Sequence, residues 1–195
     1  MLRPHRNQLI AWATLLCGFV FLYQPKFTLI RGVAFPLLAV SAILFGVYVA
    51  QKRRVEVVGG MGLVAGLIFL YAPVPSTLKG SAFHLLFSSA LAFGMTTQAK
   101  HVTELCAAAT IVIGIACLYQ PVNESLRDSA TYLMLTGVVL LATASPRKRL
   151  IERFSLGAIA FGLICLCQPF FMALYQTGLQ VLLSGLTGFI VVAHK

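Results

Sequence analysis

The stretch Leu22-Tyr23-Gln24-Pro25 recurs three more times in this chain, and each copy lies 48 residues after the one before it. The later copies are Leu70-Tyr71-Ala72-Pro73, Leu118-Tyr119-Gln120-Pro121 and Leu166-Cys167-Gln168-Pro169. A fixed period of this length, held without a gap, is the signature of a repeated supersecondary unit. We therefore divide the chain into four copies, which are residues 1–48, 49–96, 97–144 and 145–192.

Other residue types keep the same interval. A glycine stands seven residues before each of these prolines, at Gly18, Gly66, Gly114 and Gly162. An acidic residue recurs in three copies as Glu56, Glu104 and Glu152, and the first copy has Gln8 at this position. A basic residue recurs in three copies as Arg31, Lys79 and Arg127, and the last copy has Tyr175 there. The repeat therefore covers the whole chain, and we predict one domain over residues 1–195.

Each copy contains two apolar runs, about 15 and 17 residues long. We predict first helices over 9–23, 57–71, 105–119 and 154–167, and second helices over 33–50, 81–97, 129–145 and 177–193. The runs are continuously apolar, whereas the strands of a membrane barrel alternate in polarity, so helices are favoured. The prediction is an all-α integral membrane protein with eight transmembrane helices, arranged as four tandem helical hairpins.

The four Gln-Pro or Ala-Pro steps are predicted to be the corners of the hairpins. Proline suits the first turn of a helix because its missing N–H is not needed there. We therefore expect the corner prolines to open the second helices. The corner residues are Gln24, Pro25, Pro73, Gln120, Pro121, Gln168 and Pro169.

The first helices are predicted to be short. About 15 residues at roughly 1.5 Å each give a length below the thickness of the hydrocarbon core, which is roughly 30 Å.

Composition favours a membrane over water. Apolar residues make up 59% of the chain and charged residues only 10%, against roughly 25% charged in soluble domains. The net charge of +10 would suit a nucleic-acid partner, but the basic residues stand in short clusters between long apolar runs. That placement is typical of membrane topology, so the predicted partner is the lipid bilayer and not nucleic acid.

The distribution of cations predicts the orientation. Eleven of the 15 lysines and arginines lie at the chain ends and in the links between copies, and the other four lie at the corners. Positive residues accumulate on the cytoplasmic side. We therefore predict a multi-pass protein of the cell inner membrane with both termini in the cytoplasm.

Three groups of residues are candidates for function. His84, Tyr132 and Gln180 share one slot of the repeat inside the second helices, and they would either line a path or bond to a neighbouring helix. The four repeat glycines would serve close helix packing or line a pore. Arg31, Lys79 and Arg127 would snorkel at the outer interface or ring an anion-attracting mouth. The glutamates are predicted to cap the first helices against the helix dipole.

Motifs for catalysis, nucleotide binding and metal binding are missing from the sequence. The five cysteines lie in apolar runs without zinc-ligand spacing. We therefore expect no enzyme activity, no cofactor, no catalytic residue and no metal site.

Two bacterial membrane families resemble this repeat. Leu22-Tyr23-Gln24, Arg31-Gly32 and Gln51-Lys52 are similar to the corner, the basic-glycine step and the ending of the YiaA/YiaB-type inner-membrane family. The spacing from Gly18 to Pro25 is similar to the hairpins of the HdeD-like acid-resistance membrane family. Either resemblance implies a small bacterial inner-membrane protein with a role in stress and without catalytic residues.

Two functions remain open from the sequence. The first is a non-enzymatic membrane protein, either associated with stress or an accessory or structural subunit of an assembly, with a homo-oligomer or other membrane subunits as partners. The second is a small transporter or channel with a path between the hairpins.

Overall fold

The computed structural model describes residues 3–23, 28–48, 52–73, 75–119, 124–168 and 171–194. These residues form eight α-helices and no strands. In chain order the helices are α1 (Arg3–Leu22), α2 (Thr28–Tyr48), α3 (Lys52–Tyr71), α4 (Ser76–Thr96), α5 (Lys100–Leu118), α6 (Glu124–Ala144), α7 (Lys148–Cys167) and α8 (Met172–Ala193). The second helices of the four copies begin 48 residues apart, which is the period of the sequence.

The first helix of each copy is longer than its apolar run. α3, α5 and α7 begin at Lys52, Lys100 and Lys148, within the basic links, and span 19 or 20 residues. At about 1.5 Å per residue they reach roughly 30 Å, so the predicted shortfall against the hydrocarbon core was wrong. The sequence-based boundary failed because lysine and arginine are good helix formers and continue the helix beyond the apolar segment.

The corners differ from the prediction where the structure describes them. α4 begins at Ser76 with Pro75 as its N-cap residue, so Pro73 precedes the helix and does not open its first turn. Before α8, the Gln168 side chain donates to the Phe171 carbonyl at 2.8 Å and accepts from the Phe171 N–H at 3.1 Å. Gln24, Pro25, Gln120, Pro121 and Pro169 lie outside the described residues.

Consecutive helices form four antiparallel hairpins. α1 packs on α2, α3 on α4, α5 on α6, and α7 on α8. The pairing runs in opposite directions along the two helices of the first hairpin. Trp12 contacts Phe45, and Gln8, earlier in α1, donates to the carbonyl of Tyr48, later in α2. Four helical hairpins in tandem are therefore present.

The helices group into two compact units, residues 1–98 and 99–195. Within the first unit α2 packs against α4, and within the second α6 packs against α8. The two units use the same kind of bond between hairpins: the Tyr23 hydroxyl donates to Ser81 Oγ at 3.3 Å, and the Tyr119 hydroxyl is 3.4 Å from Thr177 Oγ1. In each unit the second helices therefore lie inside and hold the two hairpins together.

The repeat glycines lie where the two helices of each hairpin approach most closely. A Cβ atom on Gly66 would be 2.7 Å from Leu86 Cγ, and one on Gly162 would be 2.8 Å from the backbone nitrogen of Leu182. Gly18 and Gly114 face Leu38 and Met134 in the same way, and each partner lies 20 residues after its glycine. These contacts support the packing interpretation, since small residues let helix backbones come close.

Large apolar side chains are exposed along the first helices. Leu9, Val58, Leu105 and Phe154 belong to α1, α3, α5 and α7, and their exposed fractions are 69%, 67%, 70% and 71%. By length and composition, three helices are able to cross a membrane: α3, α5 and α7. The segments Asn7–Leu22, Val33–Tyr48 and Thr177–Ala193 are also apolar, but shorter.

Candidate functional site

A cleft of about 570 Å³ lies within the second unit. α5 contributes one wall and α7 the other, while α6 and α8 lie between them. Its apolar lining includes Leu105, Ala108, Leu141, Phe154 and Val181. Small-molecule sites in proteins have volumes of about 300–1,000 Å³ and mainly apolar walls with a few polar groups. The cleft therefore has the size and character of a ligand site.

Two residues of the cleft lining are smaller than their counterparts in the first copy of the repeat. Ala108 on α5 and Leu141 on α6 occupy the repeat positions that Trp12 and Phe45 occupy in the first unit. There the two rings meet edge to face with centroids 4.9 Å apart. In the second unit a methyl group stands where the first unit has an indole, and Ala108 and Leu141 both line the cleft.

The lining of the cleft includes a buried hydroxyl group. Ser184 on α8 is only 4% exposed, lines the cleft, and its Oγ has no hydrogen-bond partner among the described residues. The repeat-equivalent Ser88 donates to the His84 carbonyl at 2.7 Å. Many hydroxyls of this chain do the same within their own helix, for example Thr143 to Val139. An unmatched buried hydroxyl needs an explanation, because burying a polar group without a hydrogen bond is costly.

The polar end of the cleft is formed where α5 and α7 begin. His101 Nδ1 is 3.8 Å from Glu104 Oε2, and both residues line the cleft together with Arg147. The Arg147 backbone N–H donates to Ser145 Oγ at 3.1 Å. The cleft thus has charged and polar groups at one end, and the buried Ser184 hydroxyl lies deeper among apolar side chains.

A second, shallower groove of about 730 Å³ runs along α3 in the first unit. Gly60 occupies the repeat position of Trp12 and Ala108, and a Cβ on Gly60 would lie 3.6 Å from the Phe93 ring. The groove and the cleft are thus both lined by a small residue at this position of the repeat. Arg53 and Glu56 are its charged members.

The three predicted polar positions are divided between the two units. His84 lies in the first unit, where its ring is 5.7 Å from that of Phe35 and 5.9 Å from that of Phe83. Tyr132 and Gln180 lie in the second unit on the packed helices α6 and α8. None of the three lines the two clefts described above. Phe35, Phe83 and Phe87 stack and tilt against one another, so His84 belongs to an aromatic cluster.

The glutamates do not cap the first helices. In α3, α5 and α7 the first turn contains no acidic residue, because these helices begin in the basic links and the glutamates come only in the second turn. Glu56 Oε1 instead accepts a hydrogen bond from Thr97 Oγ1 at 3.0 Å. The prediction of capping was wrong because it depended on where each helix begins. The helices α3, α5 and α7 begin five or six residues before the apolar runs from which their starts were predicted.

The remaining candidates are placed as follows. Lys79 and Arg127 are exposed near the starts of α4 and α6, and Arg31 lies in α2 with its side chain outside the described part. Among the described residues, no group of His, Cys, Asp and Glu could hold a metal ion. The cysteines have no disulfides, and Cys165 is the buried one.

Sequence reasoning missed Ala108 and Ser184. Neither residue type is unusual in an apolar helix, and a single helix does not reveal which face is next to a cavity. The signal was nevertheless present in the repeat, because aligning the copies places Ala108 at the position of Trp12. A loss of volume at a repeated packing position predicts a cavity.

No family model, curated protein or solved structure matches this chain.

Proposed function

We propose that this chain is a non-enzymatic, multi-pass protein of the bacterial inner membrane that crosses the bilayer eight times. Its role is that of a stress-associated protein or of an accessory or structural subunit in a membrane assembly. The observation that carries the proposal is the exposed apolar surface of the first helices, which α1, α3, α5 and α7 share. Soluble monomers rarely expose contiguous apolar surface on this scale, whereas lipid covers it at no cost.

Two further features support a bilayer. Serine and threonine hydroxyls bond to carbonyls of their own helices, as Thr136 does to Tyr132, which satisfies these groups without water. In addition, Lys52, Lys100 and Lys148 stand at helix N-termini, where a cation opposes the helix dipole. The positive-inside rule supplies a reason for that placement if these helix starts face the cytoplasm.

The alternative of a transporter or channel would need His84, Tyr132 and Gln180 on one path. His84 packs against phenylalanines, and the two clefts are lined by other residues, so we favour the non-transporting role. Ion or solute flux in proteoliposomes that His84→Ala changes would reverse this choice.

Single-cysteine labelling tests the topology. In the full chain with its native cysteines replaced, one cysteine is introduced at a time, at Pro75 or Phe171 before the second helices or at Gln98 or Pro146 in the links. A membrane-impermeant thiol reagent applied to intact cells should label Pro75→Cys and Phe171→Cys. It should label Gln98→Cys and Pro146→Cys only after the membrane is permeabilised. Equal labelling at all four positions in intact cells would rule out this arrangement.

A further inference from the structure

We propose that the cleft of the second unit binds an anionic phospholipid, with one acyl chain between α5 and α7 and the head group at Arg147. The inference rests on the proposed function in one respect, because the bilayer supplies the lipid. It adds a binding site and a ligand class to a chain whose repeat indicates only its architecture.

The cleft is long enough for an acyl chain. Its lining extends from His101 to Ile115 along α5 and from Arg147 to Ala158 on the side of α7. These 14 and 11 residue steps, at about 1.5 Å each, cover roughly 21 Å and 16 Å. One leaflet supplies about half of a hydrocarbon core of roughly 30 Å, so the cleft extends through the depth of a leaflet.

The mouth of the cleft is accessible from apolar surroundings. Leu105 is 70% exposed and Phe154 is 71% exposed, and both side chains line the cleft. They belong to the apolar surface that lipid covers under the proposed function, so an acyl chain reaches the cleft without leaving hydrocarbon. Val138 on α6 and Val181 on α8 are half-buried and line the cleft from the inner helices.

The polar end of the cleft is level with the lipid head groups under the proposed function. Arg147 is the N-cap residue of α7, and His101 is the second residue of α5. A helix that crosses the bilayer begins at the interface, since it spans the hydrocarbon core. A phospholipid in the leaflet at this end therefore places its phosphate beside Arg147 and its acyl chain along the apolar lining.

Charge complementarity selects an anionic head group. Arg147 lines the cleft, is exposed, and forms no ion pair with any carboxylate that the structure describes. Glu104 is the one carboxylate in the described lining, and its Oε2 lies 3.8 Å from His101 Nδ1. Further cations are adjacent in the sequence, at Lys100, Lys148 and Arg149. Arginine binds phosphate oxygens in a bidentate geometry, and basic pockets between membrane helices bind anionic lipids.

Photolabelling with two matched lipids tests the proposal. Phosphatidylglycerol is anionic and phosphatidylcholine is zwitterionic, and each carries the same diazirine in the middle of one acyl chain. Each probe is added at low mole fraction to liposomes of unlabelled phosphatidylcholine that contain the full-length protein. After irradiation, the labelled residues are mapped by mass spectrometry.

Val181 reports entry into the cleft, and Val112 is the internal reference. Val112 lies on α5, is 64% exposed and is not part of the cleft lining, so ordinary surrounding lipid should label it. We define the selectivity as the ratio of Val181 to Val112 labelling with phosphatidylglycerol, divided by the same ratio with phosphatidylcholine. We expect a selectivity of at least about fivefold, the effect of one basic residue near the membrane surface.

Four variants separate the charge from the cleft. Arg147→Gln should lower the selectivity about fivefold, and Arg147→Lys should retain most of it because the charge remains. The matched control is Arg153→Gln, since Arg153 is an exposed arginine of α7 outside the cleft lining, and it should leave the selectivity nearly unchanged. Ala108→Trp should fill the cleft and remove Val181 labelling by both lipids, while continued labelling of Val112 would show that the variant is still inserted.

Two results would overturn the inference. A selectivity near one, or equal values for Arg147→Gln and Arg153→Gln, would show that charge does not select the lipid. Absence of Val181 labelling by either probe would show that no acyl chain enters the cleft, and would favour a protein segment as its occupant. Failure of the proposed function is recognised separately, because that function predicts that the protein stays in the liposomes during an alkaline carbonate wash.

Discussion

At the residue scale, the glycines differ in what a side chain would meet. Gly162 faces the backbone of α8, because a Cβ there would lie 2.8 Å from Leu182 N and 2.9 Å from Leu182 Cα. Gly18 faces mainly the side chain of Leu38, whose far end is able to move. Backbone does not yield as a side chain does, so equivalent positions of the repeat have different tolerance to substitution.

We expect Gly162→Ala to separate α7 from α8 and to lower the free energy of unfolding by about 1–3 kcal/mol, as overpacking does. Gly18→Ala should cost less. The matched control is Gly157→Ala, on the same helix with nothing within 4 Å of the added Cβ, which should be neutral or stabilising because alanine favours helix. Thermal unfolding in detergent measures all three, and equal melting temperatures for Gly162→Ala and Gly157→Ala would contradict the packing argument.

At the element scale, a polar bond joins the ends of one hairpin. The Thr97 hydroxyl, just after α4, donates to Glu56 Oε1 in the second turn of α3 at 3.0 Å. Thr97 is 4% exposed, so water competes little for this bond. Among the other copies, Gln8 in α1 makes a related bond to the Tyr48 carbonyl at 3.4 Å. In the first and second copies, the acidic or amide position of the repeat therefore connects the first helix to the end of the second.

Thr97→Val keeps the shape of the side chain and removes the hydrogen-bond donor. We expect the free energy of unfolding to fall by about 1–3 kcal/mol, which is the range for losing a hydrogen bond to a charged group or leaving a buried polar group unbonded. The control is Thr96→Val, one residue earlier. Thr96 is 3% exposed and donates to the Ala92 carbonyl of its own helix, a bond that contributes little to helix stability. Glu56→Gln should retain most of the stability because it keeps an acceptor. The free energy of unfolding is measured by chemical denaturation in mixed micelles. A larger loss for Thr96→Val than for Thr97→Val would contradict a stabilising bond between the two helices of the hairpin.

At the scale of the whole molecule, the exposed apolar surface of the first helices decides between water and lipid. Val112 is 64% exposed near the middle of α5, and Val102 is 61% exposed near its start. In water a charged side chain would be tolerated equally well at the two positions. In a bilayer they differ, because a charge at the helix centre costs about 2.5–3.5 kcal/mol on insertion and one near the end reaches the interface.

We therefore expect Val112→Lys to reduce the amount of membrane-inserted protein sharply and Val102→Lys to reduce it little. The measurement is the fraction of protein that resists carbonate extraction from membranes, at matched expression. Similar fractions for the two variants would mean that α5 does not face lipid hydrocarbon.

Local residue patterns were sufficient to predict the helices and their pairing into hairpins. The 48-residue period, the apolar runs and the corner steps predict eight helices in four hairpins, because helix formation in a continuously apolar segment depends on nearby residues. Helix starts were less well predicted, since lysine and arginine extend a helix beyond its apolar run. That difference of about one and a half turns removed both the predicted capping by Glu56, Glu104 and Glu152 and the shortfall in helix length.

The packing of the folded chain was needed to see which helices lie inside each unit and where a cleft opens. An apolar helix shows the same character on the face that meets lipid and on the face that meets another helix, because lipid tails are as apolar as leucine. Composition therefore does not reveal that α6 packs on α8, that His84 lies among phenylalanines, or that Ser184 lines a cleft. These features depend on how side-chain volumes fit together between helices, for example on Ala108 at the repeat position of Trp12. Only the packing of the folded chain determines that fit.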